Sequence, residues 1–132
     1  MNSAPQQTLV LASTSPFRKA LLQRLDLVFE TLSPQVDETA LQGEPAETMV
    51  KRLSEAKARA GAKQYPNALI IGSDQVAVCD GDVLGKPGNH ENARRQLARL
   101  AGHRVSFLTG LCLYDASTDT TRLDLVPYHV TF

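Results

Sequence analysis

Short apolar runs alternate along the chain with longer stretches in which apolar residues recur every three or four positions, a pattern typical of strands alternating with amphipathic helices. No linker or repeat interrupts the pattern, so it predicts one α/β domain over residues 1–132, with a mixed, twisted sheet flanked by helices. The predicted elements are, in order, a strand at 9–12, a helix at 16–25, a strand at 28–32, a helix at 45–63, strands at 68–71 and 76–79, a helix at 89–100, and strands at 105–114 and 126–132.

The helical spacing also predicts which side of each helix is buried. In the helix at 45–63, Lys57 falls at the edge of the apolar stripe, so its ammonium group either reaches back to water or enters a polar cavity. The residues expected to face the core are Ala20, Leu21 and Leu25 in the first helix, Ala46, Met49, Val50, Leu53, Ala56 and Ala60 in the second, and Ala93, Leu97 and Leu100 in the third.

The first strand runs directly into the first helix through three hydroxyl residues. Ser15 suits the N-cap, because its hydroxyl can accept a hydrogen bond from the first turn, and Pro16 suits the first helical position. A helix start gathers unpaired N–H groups that attract anions, and Ser13, Ser15 and Arg18 would complete a phosphate-binding pocket. Taken alone, the local pattern favours the simpler interpretation, an ordinary capped helix with Arg18 in solvent.

Two acidic segments and a second lysine are further candidates for chemistry. Asp74 follows Gly72 and is flanked on both sides by apolar strand-forming residues, where an unpaired carboxylate would be costly to bury. Asp74 is therefore a candidate active-site residue, with a turn-capping aspartate at a strand end as the alternative. Glu38 lies in a segment expected to be a solvated loop, and Lys86 stands between a glycine and a proline that expose the backbone locally.

Composition limits the function classes. Lysine plus arginine equals aspartate plus glutamate at 14 each, which gives no electrostatic case for a nucleic-acid or membrane partner. Cys79 and Cys112 lie in separate apolar runs without metal-ligand spacing, so they predict buried free thiols in a reducing compartment. Because the polar N-terminus is unlike a signal peptide and no apolar run reaches membrane-spanning length, we expect a cytoplasmic protein.

Five short motifs occur in a fixed order along the chain. They are the segments from Ser13 to Arg18, from Val36 to Glu38, from Ala56 to Ala58, from Gly72 to Gln75 and from Gly85 to Pro87. Together they resemble the Maf family of nucleoside triphosphate pyrophosphatases, whose fold is Maf/Ham1-like (inosine-triphosphatase-like), and the likeness covers nearly the whole chain. Within the family, the chain is most similar to the subfamily taken to act on 7-methyl-GTP, in which an aromatic residue precedes the arginine of the first motif and glutamine follows the aspartate.

The resemblance implies hydrolysis between the α- and β-phosphates of a nucleoside triphosphate substrate, in a house-cleaning role that removes modified nucleotides. It implies that Asp74, Lys57 and Lys86 carry the catalysis, with Asp74 accepting a proton from the attacking water. It also implies a divalent cation, Mg²⁺ or Mn²⁺, near Glu38 and Asp74, since oxygen ligands suit these ions. Which of the two acids contacts the metal stays open.

The same resemblance assigns substrate binding to two parts of the chain. Ser13, Ser15 and Arg18 match the family's phosphate-binding motif. Phe17 should stack on the base, because an aromatic face attracts the positive charge that N7-methylation puts on guanine, and Gln75 should hydrogen-bond a base edge.

Members of the family continue well beyond the position equivalent to Phe132. We therefore expect the domain to lack the family's C-terminal portion and to expose sheet edge and apolar surface that a homodimer would cover. Two functions are compatible with this expectation. One is an active pyrophosphatase, and the other is a catalytically impaired nucleotide-binding fragment or septum regulator that acts through a partner.

Overall fold

The computed structural model of the chain describes residues 7–85 and 88–132, in which strands alternate with three α-helices. A single turn of 3₁₀-helix, Gly61–Lys63, extends the second helix. The elements are β1 (Leu9–Ala12), α1 (Pro16–Gln23), β2 (Glu30–Leu32), α2 (Ala46–Ala60), β3 (Leu69–Cys79), β4 (Asp82–Leu84), α3 (His90–Leu100), β5 (Arg104–Asp115) and β6 (Thr120–Thr131).

These strands form one mixed sheet in the order β2-β1-β3-β5-β6, with β4 paired to the far end of β3. Strand β1 is parallel to both of its neighbours, whereas β3, β5 and β6 pair in antiparallel fashion. The expected mixed sheet flanked by helices is confirmed.

The third strand differs from its prediction, because the apolar runs at 68–71 and 76–79 belong to one continuous strand. β5 pairs with β3 along its whole length, from Leu69 opposite Asp115 to Cys79 opposite Val105, and this ladder carries the polar residues between the runs. Asp74 therefore lies in the middle of a strand.

Helix α2 packs on one face of the sheet at unusually close range. A Cβ atom added at Gly72 or Gly110 would collide with backbone atoms of α2, so only glycine lets the helix approach the strands this closely. The main core lies beneath this helix and contains Val10, Ala12, Ala58, Ala68, Ile70, Cys112 and Tyr114.

The opposite face of the sheet is covered in part. Leu100, at the end of α3, packs with Cys79 and Val105 in a second small core, and strand alternation directs these side chains away from α2. Four apolar residues on the same face are exposed to solvent, namely Leu111, Leu113, Val126 and Tyr128.

Several burial predictions are wrong, and each error concerns an amphipathic side without a partner. No residue of α1 is buried, and Leu21 and Leu25 are 59% and 64% exposed. Leu97 in α3 is likewise 56% exposed. Periodicity predicts which side of a helix is apolar, but burial requires another element on that side, and the described elements leave these sides open.

The predicted burial of helix α2 and of the two cysteines is confirmed in large part. Met49, Val50 and Leu53 of α2 are buried as predicted, and both cysteines are buried free thiols. Within the described part of the chain, no helix is long and apolar enough to cross a membrane.

Candidate active site

The chain passes from β1 to α1 through a turn that two serines hold together. The backbone N–H of Ser15 donates to Oγ of Ser13 (3.0 Å), and Oγ of Ser15 accepts a hydrogen bond from the N–H of Arg18 (3.3 Å). Pro16 occupies the start of the helix, where no N–H is required. The predicted N-cap is confirmed, and the positive end of the α1 dipole lies at this turn.

An open cavity of about 510 Å³ adjoins the turn. Its wall combines hydroxyl groups at the end of β1 with others at the end of β2, so a bound anion would meet several hydrogen-bond donors. Lys19 supplies a positive charge to this wall, whereas the hydrogen bond that ties Arg18 to the turn is made by its backbone. The lining residues are Ser13, Thr14, Ser15, Pro16, Lys19, Thr31, Leu32 and Ser33.

Lys57 of α2 holds its ammonium group between two carboxylates. Its Nζ lies 2.9 Å from Oδ1 of Asp74 and 3.1 Å from Oε1 of Glu38. The side chains of Lys57 and Asp74 are 14% and 12% exposed, whereas that of Glu38 is 61% exposed. Lys57 therefore turns its ammonium group towards two acids instead of reaching back to water, and Asp74 is a paired mid-strand acid rather than a turn cap.

Ser54 fastens the backbone at Asp74 to the helix that carries Lys57. The Ser54 hydroxyl, which is fully buried, donates to the carbonyl of Val50 (2.8 Å) and accepts a hydrogen bond from the N–H of Asp74 (3.0 Å). Because Lys57 lies one turn further along α2, this contact fixes the spacing between the acid and its lysine.

The loop that carries Glu38 is held against α2 by Arg52. Its guanidinium group binds both carboxylate oxygens of Glu44, at 2.7 and 3.0 Å, and also donates to the carbonyl of Thr39 (3.1 Å). Such a bidentate pair is geometrically specific. Together with the bond to Thr39, it restricts the loop between Thr39 and Glu44, which directly follows Glu38. The hydrogen bond from Arg52 is the main reason that the pKa of Glu44 lies below its ordinary value.

The serine turn and the acid lie on neighbouring parallel strands. Leu11 of β1 pairs with Ile71 of β3, so the serine turn follows this pair by two residues along the chain from β1, and Asp74 follows it by three residues along β3. The chain leaves β1 towards β2 on one side and then returns across β1 to β3 on the other. The β1/β3 junction is therefore a topological switch point, where open α/β sheets bind ligands.

The remaining predicted site residues lie outside this cluster. Phe17 is 83% exposed, which rules out a role in the core. Gln75 lies on the face of β3 opposite to Asp74 and donates a hydrogen bond to Oγ1 of Thr109 (2.8 Å). Lys86, the second predicted catalytic lysine, lies outside the described residues.

The predicted metal ligands fit a hard divalent cation. Glu38 and Asp74 offer only oxygen atoms, the donors that Mg²⁺ and Mn²⁺ prefer. Both carboxylates contact the same nitrogen of Lys57, so a divalent cation held by them would lie beside that ammonium group rather than in its place. The exposure of Glu38 would allow a metal ion to keep part of its water shell.

Three residues that support the site were missed by the sequence reasoning. Lys19 lies one turn after the N-cap, a spacing that could have placed it beside the anion pocket. Arg52 lies eight residues after Glu44, which precedes α2, and a separation of this kind does not predict a contact from sequence. Ser54 carries no sequence signal, since a buried serine in a helix is visible only from the packing.

Comparison with known proteins gives consistent matches. The profile of the family described as Maf-like protein matches residues 8–132. The chain is 52% identical over 124 residues to a 7-methyl-GTP pyrophosphatase of Pseudoalteromonas translucida, and 51% identical over 126 residues to one of Colwellia psychrerythraea. These matches cover 94% and 96% of this chain but 61% and 63% of the relatives, so the chain spans about three fifths of their length.

The fold matches that of a solved structure with little sequence identity. The Staphylococcus aureus Ham1 protein superposes with a TM-score of 0.63 at 16% identity, covering 93% of this chain and 70% of that one. This similarity confirms the expected Maf/Ham1-like fold.

Proposed function

Since the chain belongs to the Maf family, we propose that it is a nucleoside triphosphate pyrophosphatase that hydrolyses 7-methyl-GTP or a related modified nucleotide to the monophosphate and pyrophosphate. The names of relatives about half identical in sequence support this substrate, and the chain spans three fifths of their length. The proposed role is house-cleaning of the nucleotide pool in the cytoplasm.

The convergence of Lys57, Asp74 and Glu38 carries this proposal. A triphosphate brings several negative charges, and water can approach phosphorus only where these charges are neutralised. The α1 helix start and Lys19 would bind phosphate oxygens in the 510 Å³ cavity, while Lys57 would supply a further positive charge next to the acid. The alternative of an ordinary capped helix does not account for the pairing of Lys57 with Asp74 and Glu38.

Asp74 is proposed as the proton acceptor. The ammonium group of Lys57 engages Oδ1 and fixes the carboxylate, and Oδ2 would receive the proton of the attacking water. As the water oxygen bonds to the α-phosphorus, the bond between this phosphorus and the oxygen that bridges to the β-phosphate breaks. Pyrophosphate leaves, and the nucleoside monophosphate keeps the oxygen of the water. A divalent cation held by Glu38 and Asp74 would neutralise phosphate charge during this step.

Measurement of pyrophosphate release tests the proposal. Purified chain is incubated with a panel of canonical and N7-methylated nucleoside triphosphates in the presence of Mg²⁺ or Mn²⁺. We expect turnover of 7-methyl-GTP, and a loss of roughly 100-fold or more in Asp74→Asn, since a general base typically contributes 100- to 10,000-fold. Asp26→Asn is the matched control, because Asp26 is exposed and its left-handed backbone suits asparagine.

Two outcomes would contradict parts of the proposal. Full activity in Asp74→Asn would remove this residue from the role of proton acceptor. Binding of nucleotide without turnover of any panel member would instead favour the alternative, a nucleotide-binding fragment or septum regulator acting through a partner.

A further inference from the structure

A cysteine, an aspartate and a histidine meet where the β3–β4 hairpin reaches the start of β5. Oδ2 of Asp80 lies 3.8 Å from Sγ of Cys79 and 3.1 Å from Nδ1 of His103. One ligand atom from each residue lies within 4.8 Å of the other two. Because β3 continues for five residues beyond Asp74, Cys79 lies roughly 16 Å from the candidate active site along the strand.

The backbone around these three residues is firmly held. Asp80 adopts a left-handed conformation (φ 52°) in the tight turn of the hairpin, which brings its carboxylate back over the strand end. The N–H of His103 donates to the carbonyl of Leu100 (2.8 Å), and the carbonyl of His103 accepts a hydrogen bond from Phe132 (3.0 Å). Cys79 is packed between Leu100 and Val105. Packing and backbone hydrogen bonds therefore place the three residues at one end of the sheet, with the side chains of Asp80 and His103 largely exposed.

We infer that Cys79, Asp80 and His103 form a binding site for a divalent transition metal ion of the zinc class. Thiolate, imidazole and carboxylate are the ligand types that zinc takes in proteins. With usual zinc–ligand bond lengths and tetrahedral angles, the sulfur–oxygen and nitrogen–oxygen separations would be about 3.6 and 3.4 Å. The separations of 3.8 and 3.1 Å need only small side-chain adjustments to reach these values.

The surroundings suit a site that fills from solvent. Cys79 is 7% exposed, but the side chains of Asp80 and His103 are 70% and 49% exposed, so the fourth position would be open to water. Asp82 adds negative charge nearby, whereas Arg99 opposes a cation. Zinc binds the thiolate form of cysteine, so metal binding would release the proton of the Cys79 thiol.

Titration of the full chain with Co²⁺ and then Zn²⁺ tests the site directly. Cobalt bound to a thiolate produces an intense charge-transfer absorption that cobalt bound to oxygen ligands lacks, and Zn²⁺ should displace it. We expect a 1:1 signal in the wild-type chain. Cys79→Ser should abolish the charge-transfer band, and Asp80→Asn and His103→Gln should each weaken the affinity at least about tenfold, since loss of even an outer partner of a metal ligand costs 10- to 100-fold.

Matched variants control for substitution itself. Cys112→Ser removes the other thiol, Asp26→Asn changes another aspartate with positive φ, and His90→Gln changes another exposed histidine; all three should keep the signal. Absence of a thiolate band in the wild-type chain, or its persistence in Cys79→Ser, would overturn the inference. So would unchanged affinity in both Asp80→Asn and His103→Gln, because neither residue would then be a ligand of the ion.

Discussion

Lys57 joins two acids that are far apart in sequence, and this contact turns separate motifs into one site. Glu38 comes from a loop and Asp74 from a central strand, yet both lie within 3.1 Å of the same nitrogen. A carboxylate as buried as Asp74 is costly unless it is paired, so the lysine stabilises the acid as well as orienting it. The sequence alone shows only that Lys57 lies at the edge of the apolar stripe of α2, without indicating either acid as its partner.

Phe17 is the residue on which we expect base choice to depend. Its ring is 83% exposed at the start of α1, beside the proposed phosphate pocket, so substitution should not disturb the core. Phe17→Arg should lower activity on 7-methyl-GTP relative to UTP by roughly tenfold, because arginine repels the cationic base; an aromatic–cation contact contributes about 1–2 kcal/mol. The ratio of kcat/KM values for the two nucleotides measures the effect.

Phe17→Tyr is the control for this prediction, since it retains an aromatic face. An unchanged ratio in Phe17→Arg would show that another residue selects the base.

The loop before α2 owes its position to the pair of Arg52 and Glu44. Because the hydrogen bond from Arg52 lowers the pKa of Glu44 below its ordinary value of 4.5, the folded state favours the charged form. The resulting contribution to stability is complete above about pH 4.5 and is lost as the pH falls through the lowered pKa. Glu44→Gln should therefore be less stable than wild type near neutral pH.

The difference in the free energy of unfolding between Glu44→Gln and wild type should shrink towards zero below the lowered pKa. Urea unfolding at neutral and at acidic pH measures it. Glu47→Gln, which changes an exposed acid in the first turn of α2, is the control. A difference that is independent of pH would mean that the charge of Glu44 does not support the loop.

The contact between α2 and the sheet depends on two strand glycines. Gly72→Ala should destabilise the fold by about 1–3 kcal/mol or more, because the added Cβ would meet the Ser54 carbonyl and the backbone nitrogen of Ala58, neither of which can move alone. Denaturant unfolding measures the loss. Gly85→Ala is the control, since its Cβ would enter open space; equal stability of the two variants would contradict the close approach.

At the scale of the whole molecule, the sheet face directed away from α2 is the surface most suited to self-association. Leu111, Leu113, Val126 and Tyr128 share the face opposite to α2, and each is at least 37% exposed. Exposed apolar side chains on one face of a sheet favour association. The homodimer expected from the sequence would be consistent with it, and its formation stays a prediction.

Sedimentation velocity over a range of concentrations checks that prediction. Tyr128→Glu should weaken self-association at least about tenfold, since a charge in an apolar interface costs more than 1.4 kcal/mol. Leu123→Glu is the control, because Leu123 is exposed on the same strand but faces the α2 side. Equal effects of the two variants would place the contact elsewhere.

The sequence by itself determined the features that depend on near neighbours. The alternation of strands with helices and the Ser15 cap follow from spacing and from local backbone preferences. The family motifs belong to the same class, because each is a short run of residues. Local chemistry of this kind acts over a few positions and can be read without the fold.

The tertiary structure alone decided which surfaces are covered and which distant groups meet. Periodicity marks an apolar side on α1 as clearly as on α2, but only α2 has a sheet to pack against. The ladder with β5 joins two apolar runs into β3 and so places Asp74 on the face of the sheet that packs against α2. The pairing of Lys57 with Glu38, and of Asp80 with His103, likewise requires chain segments that no local rule brings together, because burial and contact depend on long-range packing.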